Sequence, residues 1–184
     1  MKFRTADTKG FTLVELVVTI AVGGLILSAA VPAFREMILA SRTTAMVNDF
    51  VGSLTLARSE ALKRNERVTV CKSADGLSCT TAGTWDQGWI VFNDPNGDAA
   101  VTTGEDILFA RLDTVQGVDA SGGTGDLKYY VSYIANGTSR MTDGSIQSGN
   151  IQFCRNPRPG DSSKNRTLTV SVTGRPSIAN GGCP

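Results

Sequence analysis

The sequence predicts an α+β chain. One long amino-terminal helix spans a membrane with its first half and packs on an antiparallel β-sheet domain with its second. Three observations lead there. From Phe11 to Phe34 the chain is apolar and carries one ionisable residue, Glu15. Val47, Phe50, Val51, Leu54, Ala57 and Ala61 then recur at three- and four-residue steps, which is one helical stripe. Beyond Asn65, short β-branched runs alternate with turn residues, without repeats or a second hydrophobic core.

The apolar run comes first. At 1.5 Å per helical residue, about 20 apolar residues cross the roughly 30 Å hydrocarbon core of a bilayer. Lys2, Arg4 and Lys9 precede it against a single Asp7, a positively charged flank that belongs on the cytoplasmic side. A cleaved secretory signal would be shorter and end at a small-residue site. Ser28-Ala29-Ala30 offers one, but the run continues through Val31-Pro32-Ala33-Phe34. A plain anchor accounts for everything except Glu15. A carboxylate in hydrocarbon costs about 2.5–3.5 kcal/mol on insertion scales and calls for a partner. Cleavage between Gly10 and Phe11 would supply one, a free amine on Phe11. Residues 11 and 15 of a helix share a face, so Glu15 would pair with its own terminus or a neighbour's.

The remaining elements follow in order. No Pro or Gly cluster separates the apolar run from the stripe, so one helix is predicted from about Thr12 to Arg64, interrupted only by Pro32 and Gly52. Glu60 can reach Lys63 and Arg64 on its solvent face. Asn65-Glu66 ends it. Strands are predicted at 67–72, 88–93, 107–112, 127–134, 151–155 and 166–173. Residues 73–84 form a loop, and Asp94-Pro95-Asn96-Gly97-Asp98 a turn. Residues 113–126 are read as loop, rich in glycine near Ser121–Gly125.

Composition narrows the chemistry. The 184 residues allow one domain and an anchor. The chain is +1 overall, and near −1 once residues 1–10 are removed with three basic residues and one acid. No global basic charge points to nucleic acid. There is no histidine, which excludes Ser-His-Asp and Cys-His catalysis and argues against zinc. The chain is read as no enzyme, with no cofactor and no metal. Cys71, Cys79, Cys154 and Cys183 form no Cys-x-x-Cys pair. In an exported domain an even cysteine count reads as two disulfides. Three pairings are open; closeness in sequence favours Cys71–Cys79 and Cys154–Cys183. Asp94, Asn96 and Asp98 alternate, and Glu105 and Asp106 follow, an oxygen spacing like the start of a calcium loop. Its glycine is misplaced and no helix follows, so a structural turn is the preferred reading.

Gly10-Phe11-Thr12-Leu13-Val14-Glu15 resembles the signal of type IV pilins and type II secretion pseudopilins. The resemblance implies cleavage after Gly10 by a prepilin peptidase, N-methylation of Phe11, and pairing of Glu15 with a neighbour's amine during filament assembly. Pro32 stands where pilins commonly carry a helix-kinking proline. Leu56–Arg64, Val68–Cys71, and Gly88–Asp94 with Asn96-Gly97-Asp98 are similar to the GspH/FimT group of minor pilins and pseudopilins. Membership implies a type IV pilin fold: leader 1–10, membrane and filament-core helix 11–34, periplasmic globular domain 35–184. It implies a scarce subunit near a filament tip. Its partners would be other minor and major pilins, the prepilin peptidase and an inner-membrane assembly platform. Twitching and adhesion would follow for a pilus, protein export for a secretion filament.

DNA is a further partner to consider. Arg155, Arg158, Lys164, Arg166 and Arg175 make the last 30 residues basic, and basic loops contact phosphates. Group members that serve natural transformation bind DNA through Gly-Arg-x-Arg. The matching positions here are Gly174-Arg175-Pro176-Ser177, without the second arginine and without a nearby aromatic stacking platform.

Overall fold

A computed structural model of the chain describes residues 10–112, 114–156, 165–181 and 183. One helix, α1, spans Leu13–Arg64 and runs through Pro32. It ends where Asn65 adopts φ 56°, a left-handed conformation that asparagine tolerates at a helix terminus. Glu60 accepts from Lys63 Nζ at 3.3 Å and Arg64 Nε at 2.7 Å in the last turn. These two cations lower the Glu60 carboxyl pKa.

The chain divides into two compact units, Met1–Ile38 and Leu39–Pro184. In the first, the large apolar side chains of α1, such as Leu13, Leu25 and Phe34, are exposed. Among the described residues α1 is the one helix long and apolar enough to cross a membrane.

Among its described residues the second unit holds the rest of α1 and eight strands. They are β1 (Val68–Lys72), β2 (Trp89–Asn93), β3 (Ile107–Arg111), β4 (Val118–Gly125), β5 (Tyr130–Tyr133), β6 (Gly149–Arg155), β7 (Arg166–Val170) and β8 (Pro176–Asn180). They form two four-stranded sheets, ordered β3-β2-β1-β5 and β4-β6-β7-β8. Every pairing is antiparallel.

Alternation within strands builds two hydrophobic layers. Val68 and Val70 of β1, Trp89 and Val91 of β2, and Val131 and Tyr133 of β5 face the helix stripe. Ile151 and Phe153 of β6 and Leu168 and Val170 of β7 join the same core from the second sheet. The intervening residues Cys71, Ile90 and Phe92 form a smaller cluster, packed by Val101, Ile107 and Tyr130. Phe50 is the centre of the main core. Its ring meets Trp85 at 4.9 Å and Trp89 at 5.0 Å, both edge to face, and Phe153 at 5.9 Å.

The helix packed on antiparallel sheet is as the sequence predicts, with the strands divided between two sheets. The expected stripe is buried except at Val51, which is half-buried, and Thr43, Met46 and Ser53 join it. Residues 118–125, expected as loop, form β4, and β8 was not foreseen. The expected strand 127–134 shortens to Tyr130–Tyr133.

Candidate functional site

The start of α1 is set by three neighbouring residues. Thr12 is the N-cap: its Oγ1 accepts from the Glu15 backbone N–H at 3.2 Å, and its carbonyl accepts from Leu16 N at 3.1 Å. Glu15 is the acid of the first turn, where a negative charge complements the positive end of the helix dipole. The Thr-x-x-Glu spacing of a capping box was legible in the sequence and unread. Gly10 and Phe11 precede the helix. The expectation that residues 11 and 15 share a helical face is thereby corrected for the uncut chain: the cap places Phe11 outside α1. Phe11 and Glu15 are both exposed. Further along, Thr19 Oγ1 donates to Leu16 O at 2.8 Å and Ser28 Oγ to Leu25 O at 2.7 Å. Both hydroxyls are therefore satisfied inside the helix, as an apolar medium demands.

The acidic turn after β2 closes on itself. Asp94 is buried; its Oδ1 accepts from Gly97 N at 2.9 Å, and its Oδ2 from Thr69 Oγ1 at 2.6 Å and Ala99 N at 3.2 Å. Thr69 Oγ1 also lies 2.8 Å from Ser132 Oγ, so the turn is fastened to β1 and β5. Burial pushes the Asp94 carboxyl above its ordinary pKa, outweighing these hydrogen bonds. Asp98 accepts from Ala100 N at 2.8 Å and Asn96 Nδ2 at 3.0 Å, and Glu105 from Thr102 N at 2.8 Å. Both oxygens of Asp94 and of Asp98, and one of Glu105, are thus engaged by the chain's own donors.

Cys71 is bonded to Cys79, and Cys154 to Cys183. The loop closed by the first bridge has other ties. Lys72 Nζ donates to Thr81 O at 3.2 Å and Gly83 O at 2.8 Å, and Thr80 N to Lys72 O at 2.9 Å. Burial lowers the Lys72 pKa. Asp75 accepts from the backbone of Leu77 and Ser78 and the Ser78 hydroxyl, which holds its carboxyl well below the usual range.

The described members of the basic set, Arg155, Arg166 and Arg175, differ in burial. Arg155, expected at a DNA contact, is 1% exposed at the end of β6, on the face that carries Ile151 and Phe153. That expectation is corrected: strand alternation turns its guanidinium inward, away from any phosphate. Arg166 is half-buried on β7, with Nη1 donating to Asn165 O at 3.1 Å. Arg175 is exposed in the hairpin between β7 and β8. Arg158 and Lys164 lie outside the described residues. Gly174, first residue of the expected Gly-Arg-x-Arg match, has a tertiary role. It is buried at φ 78°, and a Cβ there would lie 2.9 Å from Gly137 O. Its carbonyl accepts from Tyr133 Oη at 3.0 Å. Burial raises the Tyr133 pKa, so the phenol keeps its proton.

A profile of the family described as type II transport protein GspH matches residues 46–174. The prokaryotic N-terminal methylation motif matches residues 6–31. Fimbrial protein Q of Moraxella bovis is 30% identical over 118 residues, 62% of this chain and 74% of that protein. The type IV major fimbrial protein FimA of Dichelobacter nodosus is 25% identical over 114 residues, 62% of each chain. Among solved structures, the type IV minor pilin FimU of Pseudomonas aeruginosa has a TM-score of 0.54 at 17% identity, over 76% of this chain and 89% of that one. The minor pseudopilin EpsH of the Vibrio cholerae type 2 secretion system has a TM-score of 0.52 at 10% identity, over 76% and 97%. These last two likenesses concern the fold.

Proposed function

The chain belongs to the type II transport protein GspH family of pilin-like subunits, and we propose that within it this chain is a minor type IV pilin that primes pilus assembly near the filament tip. The single observation that favours a pilus is that both curated relatives are fimbrial proteins, one of them 30% identical.

The methylation-motif match and the family support the following sequence of events. A prepilin peptidase cuts between Gly10 and Phe11, and Phe11 is N-methylated. Until assembly the apolar first half of α1 holds the subunit in the inner membrane, with its domain in the periplasm. The assembly platform then draws that helix into the filament core. There Glu15, too costly to leave unpaired in an apolar setting, meets a neighbour's terminal amine. The globular domain packs against other pilins. The chain's contribution is thus placement and packing, with no chemical step of its own.

Deletion of the gene tests this reading. Loss of surface pili and twitching is the expected outcome. A second reading, a minor pseudopilin of a type II secretion filament, is favoured by the family description and the EpsH-like fold. Intact pili and twitching with blocked exoprotein release would establish that reading in place of the first.

A further inference from the structure

The sequence contains one Asp-Pro pair, Asp94-Pro95, and the fold puts it at the exit of β2. Such a bond is open to attack by its own side chain. The carboxyl closes a five-membered ring on the adjacent carbonyl, and proline leaves as a secondary amine from a tertiary amide. In a flexible chain the ring seldom forms, because the carboxyl samples many rotamers. Three features restrict it here. First, the carboxyl lies alongside the carbonyl it would attack. One N–H, that of Gly97, is shared by Asp94 Oδ1 at 2.9 Å and the Asp94 main-chain oxygen at 3.2 Å. That N–H polarises the carbonyl and is placed to receive the charge that develops on its oxygen.

Second, the rest of residue 94 is anchored. Its N–H donates to Arg67 O at 2.9 Å, and its Oδ2 accepts from Thr69 Oγ1 at 2.6 Å and Ala99 N at 3.2 Å. Ala99 holds φ 57°, a left-handed conformation costly for alanine, and in it brings that N–H onto the carboxyl. Third, the two sides of the bond differ. Asp94 is buried, whereas Pro95 and Asn96 are exposed, so water reaches the leaving nitrogen. The reactive form is the carboxylic acid, and the surroundings accept it. Thr69 Oγ1 and Ser132 Oγ lie 2.8 Å apart and either can donate, so Thr69 can turn to accept from a protonated Oδ2 while Oδ1 keeps its lone pairs. Burial, and to a lesser degree the Glu105 carboxylate, favour the protonated form. The other charges around the turn are Asp98 within it and Arg67 ahead of β1, whose Nε lies 3.3 Å from where a Gly97 Cβ would stand. β5 presents no charge.

We propose that Asp94–Pro95 is a self-cleaving junction, at which the Asp94 side chain cuts its own main chain in mild acid and leaves Pro95 as a new amino terminus. Oδ1 bonds to the Asp94 carbonyl carbon, and Oδ2 gives up its proton as a cyclic anhydride forms. The Pro95 nitrogen takes a proton from solvent as its bond to that carbon breaks. One water then opens the anhydride to two carboxylic acids. The net change is the addition of one water, with nothing oxidised or reduced. The two products remain associated. The first keeps α1, β1, β2 and the Cys71–Cys79 bond; the second keeps β3 to β8 and the Cys154–Cys183 bond. β3 is still paired with β2, and β5 with β1. This is a reaction of the chain on itself, separate from its part in assembly, and it needs neither the pilus nor the secretion reading.

The test is intact-mass spectrometry of the full-length, detergent-solubilised chain with protease inhibitors present. The chain is held at the lowest pH at which circular dichroism shows the fold intact, and in parallel at the same pH in urea. A fragment beginning at Pro95 is expected, formed at least about tenfold faster by the folded chain than by the unfolded one. Neutral pH should slow it, because the carboxyl then loses its proton. Pro95→Ala, at an exposed turn position, should keep the fold and slow cleavage at least about tenfold, since the leaving group becomes a secondary amide nitrogen. Absence of the fragment overturns the proposal. So does a rate in urea equal to the folded rate, which would be the ordinary lability of an Asp-Pro bond. An unchanged rate for Pro95→Ala also overturns it, by pointing to a protease.

Discussion

Glu15 holds one local relationship, the helix cap, and the proposal above gives it a second, with a neighbour's amine; substitutions separate the two. The capped group is its backbone N–H, bonded to Thr12 Oγ1 at 3.2 Å, so a change of side chain leaves the cap intact. Glu15→Val should therefore insert into the membrane more readily, since about 2.5–3.5 kcal/mol of buried charge is removed. It should nonetheless fail to enter filaments, as read by immunoblots of sheared pili. Normal incorporation would show that the carboxylate is no assembly contact. Asp94 gives a second residue-scale prediction. Asn at this position can accept from one of the two backbone N–H groups but turns a donor on the other. Asp94→Asn should destabilise the chain by about 1–3 kcal/mol, measured by urea unfolding of the detergent-solubilised protein. The sign with pH also follows. Because burial raises its folded pKa above 3.8, the folded state holds the proton more tightly than the unfolded one. This group's contribution is fully present below 3.8 and is lost as pH rises through the raised value. The variant should lack that decline.

The elements were unevenly legible, for identifiable reasons. α1 could be read almost to the residue, because its stripe repeats within one stretch of chain and Asn65 marks its end. β1 and β2 carry β-branched and aromatic residues in alternation and were equally plain. β4 reads Val-Asp-Ala-Ser-Gly-Gly-Thr-Gly, with little strand propensity of its own. It is a strand because β6 pairs with it, from Val118 opposite Arg155 to Gly125 opposite Gly149. Gly122 there admits the 127–128 backbone, since a Cβ would lie 3.0 Å from Lys128 Cα. β8 begins with Pro176, which reads as a break but is tolerated at the start of an edge strand. Two predictions belong at this scale. Phe50→Ala should cost about 3–5 kcal/mol, because both indoles and Phe153 lose their common partner. The bridges should differ. Replacing Cys154 and Cys183 by serine opens a separation of 29 residues and should cost about 3–4 kcal/mol. Replacing Cys71 and Cys79 opens one of 8 and should cost less. There Lys72, Thr80 and Asp75 still hold the loop. Paired urea titrations would check the order.

At the scale of the whole molecule, the family couples an apolar helix to a folded domain within one chain. The helix exposes Leu13, Leu25 and Phe34, and the domain buries its stripe from Met46 to Ala61. The proposed cleavage after Gly10 gives a prediction at this scale. A Cβ at Gly10 would meet nothing within 4 Å, so the fold itself makes no demand for glycine there. Gly10→Ala should be cut, whereas Gly10→Leu should leave the precursor full length and out of filaments. Mass spectrometry of the membrane-bound chain would tell them apart, and cleavage of the leucine variant would show that the boundary lies elsewhere. The sequence by itself determined the membrane-length helix, its continuation into an amphipathic stripe, the strand-rich domain and the resemblance to pilin-like subunits. Each is written in residues a few positions apart, as a period of 3.6 or 2 or a short motif. Only the tertiary structure decided that the strands form two sheets, that Arg155 turns inward, and that the Asp94 carboxylate is engaged by its own turn and by Thr69 of β1. Those outcomes depend on partners tens of residues distant, whose approach no local pattern encodes.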